Sequence, residues 1–310
     1  MNQIAEQVRS LLPEANEVPL PGSGRTAERW AWLTRMTKTD VVLGRMLEAH
    51  VDARAILTEL QSTLEGPEQW WGVWAAEAPT AIVLAEPVGD GGFRVRGTKA
   101  WCSGAGLCTH ALVTVRAADN PERRLLVAVD LGHPGVRPRT GSWTNAGMAR
   151  SATSSVDFDA VPATLVGDGD DYLERAGFWH GGAGVAACWL GGALAVADAF
   201  GRSARRDPHT LAHRGAVDAA LSGAEWAMTA AAAELEADPT DLPAARIRAL
   251  RLRAIVESAA ALTLDRVGRA LGPGPLTQDQ QHTTAVADLT VYVRQSHAER
   301  DLAALAGLLP

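Results

Sequence analysis

Residues 85–105, Ala-Glu-Pro-Val-Gly-Asp-Gly-Gly-Phe-Arg-Val-Arg-Gly-Thr-Lys-Ala-Trp-Cys-Ser-Gly-Ala, constrain the fold more than any other stretch of the chain. Phe93, Val95 and Gly97 alternate with Arg94, Arg96 and Thr98, the period of a strand with two different faces. The glycines around Asp90 supply the backbone freedom of a tight turn, so the stretch reads as a hairpin. Beyond it, Trp101 and Ser103 lie two residues apart and are expected on one face of extended chain. An indole beside a hydroxyl would suit a flat heteroaromatic ligand. Ordinary sheet packing is the other reading.

On both sides of this stretch the hydrophobic period is different. Over residues 41–60, Val42, Met46, His50, Ala53, Leu57 and Leu60 recur at three-to-four-residue spacing, which predicts a helix. Residues 1–78 read as a helical zone, broken at Gly66-Pro67 and followed by the crowded Trp70, Trp71 and Trp74. Residues 79–166 read as strands, at 81–85, 111–115, 125–129 and 156–158, between Gly, Pro, Asp and Asn clusters. From about 172 the chain returns to Ala- and Leu-rich helix, with breaks at Asp238-Pro239 and at residues 272–275. Helices, then strands, then helices predict an α+β architecture with domains at 1–78, 79–166 and 167–310.

The hairpin resembles the flavin-facing hairpin of the acyl-CoA dehydrogenase family. Three further landmarks follow in that family's order. Gly147-Met148-Ala149-Arg150-Ser151, with Val156-Asp157-Phe158-Asp159-Ala160-Val161-Pro162, is similar to its exit from the middle β-domain. Gly177-Phe178 opens the helical half, and Leu271-Gly272-Pro273-Gly274 with residues 288–292 is similar to the last flavin loop and final helix. The resemblance covers roughly residues 40–300. It implies a shortened N-terminal helical part, a middle antiparallel β-domain and a C-terminal helical bundle. It also implies FAD, bound between the β-domain and the C-terminal helices near Ala85, Trp101, Ser103, Arg205, Arg269 and Gly272. Arg205 or Arg206 would meet the pyrophosphate, with a solvated basic turn as the alternative. A homodimer or homotetramer through the C-terminal helices is implied as well.

The departures bear on mechanism. The N-terminal zone is short, and the family's Gly-Ser-Asp element is missing where the chain runs through residues 88–92. Ala85 stands where a hydroxyl often meets the flavin. Members of the family remove an α-proton with a glutamate while the flavin accepts a hydride. Anchored on Asp288 and Tyr292, that glutamate position falls on Ser296, between Gln295 and His297. The other position used for the base falls near Gly181, beside His180. Neither supplies a carboxylate. His297 is the substitute to weigh, with Asp301 four residues on to orient its ring; an exposed histidine at a polar helix end is the plainer reading. His180, beside two glycines, is a ligand candidate or a packed, satisfied histidine.

A net charge of −7 argues against nucleic acid and anionic membranes as partners. Three cysteines give no even framework and lead to a cytoplasmic expectation. Other motifs fail. Residues 180–184 lack a Gly-x-Ser-x-Gly elbow to serve, Gly22 to Ala27 follows prolines rather than a strand, and Cys108-Thr109-His110 has no second ligand pair for zinc. Three readings stay open: an FAD-dependent oxidoreductase with an unusual substrate, such as an acyl thioester, or a relocated base; a flavin-dependent oxygenase or oxidase; and a non-catalytic binder or partner subunit.

Overall fold

The computed structural model describes residues 3–63, 66–89, 92–139, 141 and 143–310. The helices are α1 Gln3–Asn16, α2 Thr26–Thr39, α3 Val41–Glu59, α4 Ala176–Ala197, α5 Ala199–Arg202, α6 Pro208–Ala237, α7 Leu242–Leu271, α8 Pro273–Gln278, α9 Gln280–Tyr292 and α10 Glu299–Ala306. The strands are β1 Trp71–Trp74, β2 Val83–Val88, β3 Gly92–Cys102, β4 His110–Ala117, β5 Arg124–Asp130, β6 Val136–Pro138 and β7 Ser154–Asp168. The chain divides into one unit of Met1–Glu17, Ala49–Asn145 and Ala149–Phe178, and a second of Val18–Glu48, Ala146–Met148 and Trp179–Pro310.

In the first unit β2 and β3 pair antiparallel, Val83 opposite Gly97 and Val88 opposite Gly92, as the alternation predicts. The turn glycines around Asp90 lie partly outside the described residues. Pairing of β4 with β5 closes the path β4-β2-β3-β7-β5 into a barrel, with β1 added beside β4 and β6 beside β7. Closure removes open edges that would otherwise invite aggregation. Val83, Ala85, Val95, Val113, Val115, Val127, Val129, Val156 and Phe158 fill one buried cluster. Leu112, Leu126 and Ala128 point to the other face of β4 and β5 and bury Ala53, Ile56, Leu57 and Trp71.

The tryptophan-rich segment, read above as part of the helical zone, is the strand β1, running parallel to β4 with Trp71 opposite His110. Four residues are too short for periodicity to separate strand from helix, and the pairing partner lies almost forty residues away. Ala85 is fully buried in the sheet core, opposite Val95.

His50 on α3 ties the first unit together. Its Nδ1 accepts from the Trp71 amide at 3.3 Å and its Nε2 lies 3.0 Å from Asn16 Oδ1, an arrangement that requires a neutral ring. Burial pulls its pKa down to about 4. A lowered pKa means stability that is complete above the unfolded value near 6.5 and lost as pH falls toward 4. We expect about 3 kcal/mol to disappear over that window. Urea unfolding of the protein and of His50→Gln at pH 7 and pH 4.5 checks this. An equal pH slope in both proteins would refute the assignment.

In the second unit α6, α7 and α9 begin where side chains accept orphan helix amides: Asp207 from His209 and Thr210, Asp241 from Ala244, Asp279 from His282. Pro208 and Pro243 add the fixed φ suited to a first turn. Residues 176–197 contain no Asp, Glu, Lys or Arg. The apolar window of this helix is 72% buried, which makes α4 a core helix. Gly191 on α4 has the backbone of Thr34 against it, so α2 and α4 approach to a distance only glycine allows.

Candidate active site

The candidate residues fall into two sets, one in each unit. The first surrounds Trp101. Its backbone has φ +56°, so the chain is not extended there and simple alternation with Ser103 does not hold. The β3–β7 register slips between Lys99 and Cys102, which is a bulge that redirects the strand. A left-handed bulky residue is an outlier that surrounding structure must enforce. The result is an indole 56% exposed while Cys102 beside it is buried. Beyond the bulge, Thr153 Oγ1 donates to Ser103 Oγ at 3.3 Å and lies 2.7 Å from Ser151 Oγ. The Gly104 amide donates to the Ser151 carbonyl, and Trp74 Nε1 donates to the Ser103 carbonyl at 2.9 Å. The exposed indole is a flat surface able to stack a planar ring, and the partly exposed Ser103, held by the buried Thr153 and Ser151, is the hydroxyl of this set able to meet a ligand.

The second set surrounds Ser296 and His297, between α9 and α10. Ser296 Oγ donates to Glu257 Oε2 at 2.5 Å, and the same carboxylate lies 3.7 Å from the Arg294 guanidinium. Sequence reasoning missed Glu257. It comes from α7, 39 residues from Ser296. His297 Nδ1 meets Asp301 Oδ1 at 3.2 Å, the contact expected from the four-residue spacing, and its side chain is 58% exposed. Ala298 follows with φ +44°, another non-glycine outlier, and its amide donates to Ser296 Oγ at 3.1 Å. Behind them the Arg253 guanidinium lies 4.6 Å over the Trp189 ring and donates to the Gly182 and Gln295 carbonyls. Burial lowers its pKa, while Asp301 and Glu257 act to raise it.

The remaining candidates are placed elsewhere. His180 is buried, with Nε2 2.8 Å from the Pro239 carbonyl, so its ring clamps the α6–α7 connection. Arg205 donates to the Ala270 carbonyl at 2.7 Å, capping the end of α7 where Gly272 turns the chain with φ +68°. Arg206 bonds the carbonyls of Ser203 and Arg205. Arg269 is exposed beside Asp265. Burial pushes the Cys102 and Cys188 thiols up to about 12, which removes thiolate chemistry.

Two of the separated landmarks meet in the second unit. The Met148 amide donates to Asp288 Oδ1 at 2.5 Å, and Gly147 lies against the Ala287 carbonyl, where a Cβ would overlap it.

Comparison with known proteins agrees. Residues 75–161 match the family described as acyl-CoA dehydrogenase, middle domain. No curated protein matches the chain by sequence. Among solved structures, TdsC from Paenibacillus sp. A11-2, a dibenzothiophene monooxygenase solved with FMN and indole, superposes with TM-score 0.75 at 18% identity, over 99% of this chain and 94% of its own. KijD3, solved with FMN and a dTDP-amino-keto sugar, gives 0.76 at 17% identity, over 99% and 92%. A nitrososynthase from Micromonospora carbonacea var. africana gives 0.76 at 18% identity, over 99% and 97%. The chain therefore has an acyl-CoA dehydrogenase-like fold: N-terminal helices, a middle β-barrel and a C-terminal helical bundle.

Proposed function

We propose that the protein is a flavin-dependent monooxygenase that uses FMN and acts on a small molecule. The observation that carries this reading is the chemistry at positions 296 and 297. A hydroxyl and an imidazole stand there, each backed by a carboxylate, and the Glu257 carboxylate is engaged by Ser296 and Arg294. Removing an α-proton needs a carboxylate aimed at the substrate. Oxygen transfer instead needs a group that gives and takes a proton near neutral pH, which an imidazole does.

In this reading the flavin supplies the electrons that activate dioxygen. In the first unit Trp101 would hold the flavin ring and Ser103 would hydrogen-bond its polar edge; in the second unit the Asp301 carboxylate would hold His297 in the tautomer with a proton on Nδ1. That tautomer would leave His297 Nε2 as the atom able to accept a proton. The monooxygenase described for TdsC, and the FMN seen with TdsC and KijD3, support the oxygenase over the dehydrogenase and FMN over FAD. A dehydrogenase with a relocated base is the second reading, and Glu257 is the carboxylate it would use.

The test is titration of the purified protein with FMN and FAD, oxidised and, without oxygen, reduced. FMN should bind more tightly than FAD. Trp101→Ala should weaken FMN by about three- to tenfold, the range of one aromatic stacking contact. Tighter FAD binding would reverse the cofactor assignment, and no binding of either flavin in either state would refute the flavoprotein reading.

A further inference from the structure

The first unit opens a cleft of about 840 Å3 between β2 and β4. Strand pairing explains it. β2 and β4 run parallel but pair only at Leu84 with Arg116 and Ala85 with Ala117, so ahead of Leu84 the two strands part. Ile82, Leu84, Pro79 and Val115 give apolar walls. Ile82 is 54% exposed there, an apolar surface left to solvent.

Lys99 from β3 also lines this cleft, although the residue is only 3% exposed. Its Nζ donates to the Thr114 carbonyl at 2.8 Å and to Thr114 Oγ1 at 2.7 Å, both uncharged acceptors. An ammonium has three protons to donate, and two are used. Glu77 and Glu122 also line the cleft, and the Glu77 charge acts on Lys99 through space, but neither carboxylate makes a hydrogen bond or ion pair with it. Arg116 pairs with Glu77 at 2.6 Å, and Arg96 with Asp159 at 2.7 Å. Among the described residues, this buried positive charge has no carboxylate in contact, a costly arrangement unless a counter-ion arrives. Burial draws its pKa down to about 8.

We propose that this cleft binds a small organic monocarboxylate, its apolar body along Ile82 and Leu84 and its carboxylate accepting the remaining Lys99 proton. One buried ammonium without a contacting carboxylate fits one negative charge. Glu122 on the lining disfavours a dianion such as phosphate. The site does not depend on the flavin reading.

Calorimetry on flavin-free protein tests it, with hexanoate and benzoate as probes, hexanol as the uncharged counterpart, and inorganic phosphate. Hexanoate should bind at least about tenfold more tightly than hexanol or phosphate, the ratio expected of one charge-assisted hydrogen bond. Its affinity should fall by up to about tenfold per pH unit above pH 8, because only the protonated amine binds. Lys99→Met should erase the preference over hexanol. Ile82→Trp, at an exposed position, blocks the cleft while keeping the amine, and should abolish binding even if Lys99→Met fails to fold. Equal binding of hexanol, tighter binding of phosphate, or hexanoate binding unchanged in Ile82→Trp would overturn the proposal. Displacement of hexanoate by FMN would overturn it too, by making the cleft part of the flavin's own site.

Discussion

Mixed without oxygen with butyryl-, octanoyl- and palmitoyl-CoA, the FMN-loaded protein is expected to keep its oxidised absorbance. Loss of a general base costs about 10²–10⁴-fold in proton abstraction, and Ser296 cannot hold the negative charge the step requires. Glu257 stands behind that hydroxyl, hydrogen-bonded to it at 2.5 Å and close to Arg294. Rapid bleaching of the unmodified protein, abolished in Glu257→Gln, would show that Glu257 is the base and replace the oxygenase reading with the dehydrogenase one. Ser296→Glu alone should gain little, because it puts a second negative charge beside Glu257. Combined with Glu257→Gln, which removes that like charge, the new glutamate should give measurable bleaching if the pocket admits a thioester. The proposed oxygenase reading assigns proton transfer to His297. His297→Ala should slow oxygen-dependent turnover by about 10²–10⁴-fold while leaving FMN affinity unchanged.

The second large effect is structural. Gly97→Ala is expected to destabilise the protein by about 3–5 kcal/mol, adding the cost of a left-handed non-glycine to that of overpacking. Gly97 has φ +126°, and a Cβ there would overlap the Ile82 carbonyl oxygen. Neither the backbone of β2 nor that of β3 can yield without breaking the ladder from Val83 to Val88. Chemical denaturation, with calorimetry as a second probe, measures it. Gly274→Ala, where a Cβ would meet nothing within 4 Å, is the control and should change stability far less. Equal behaviour of the two variants would show that the hairpin does not need glycine at 97.

Several structural features were legible because their cause is local. The 3.6-residue recurrence over 41–60 became α3, and the alternation around Phe93 and Val95 became β3. The breaks at Asp238-Pro239 and Gly272 became helix ends, since a side-chain cap or a left-handed glycine acts within a few residues. The spacing of His297 and Asp301 put both on one contact for the same reason.

What was not legible depends on partners distant in the chain. β1 owes its strand conformation to β4, and Ala85 its burial to the closed barrel. Trp101 is turned outward by a bulge set by the register of β7, more than fifty residues on.

The sequence by itself determined the order helices, strands, helices and the hairpin, because periodicity and turn chemistry are local properties; closure of the strands into a barrel was decided by the pairing of β4 with β5. The tertiary structure alone decided that a carboxylate from α7 stands behind Ser296. It also decided that His180 serves the α6–α7 connection and that Lys99 is left buried with a proton to give. Those outcomes rest on which side chains the packing brings within hydrogen-bond reach, and separation along the chain carries no signal of that.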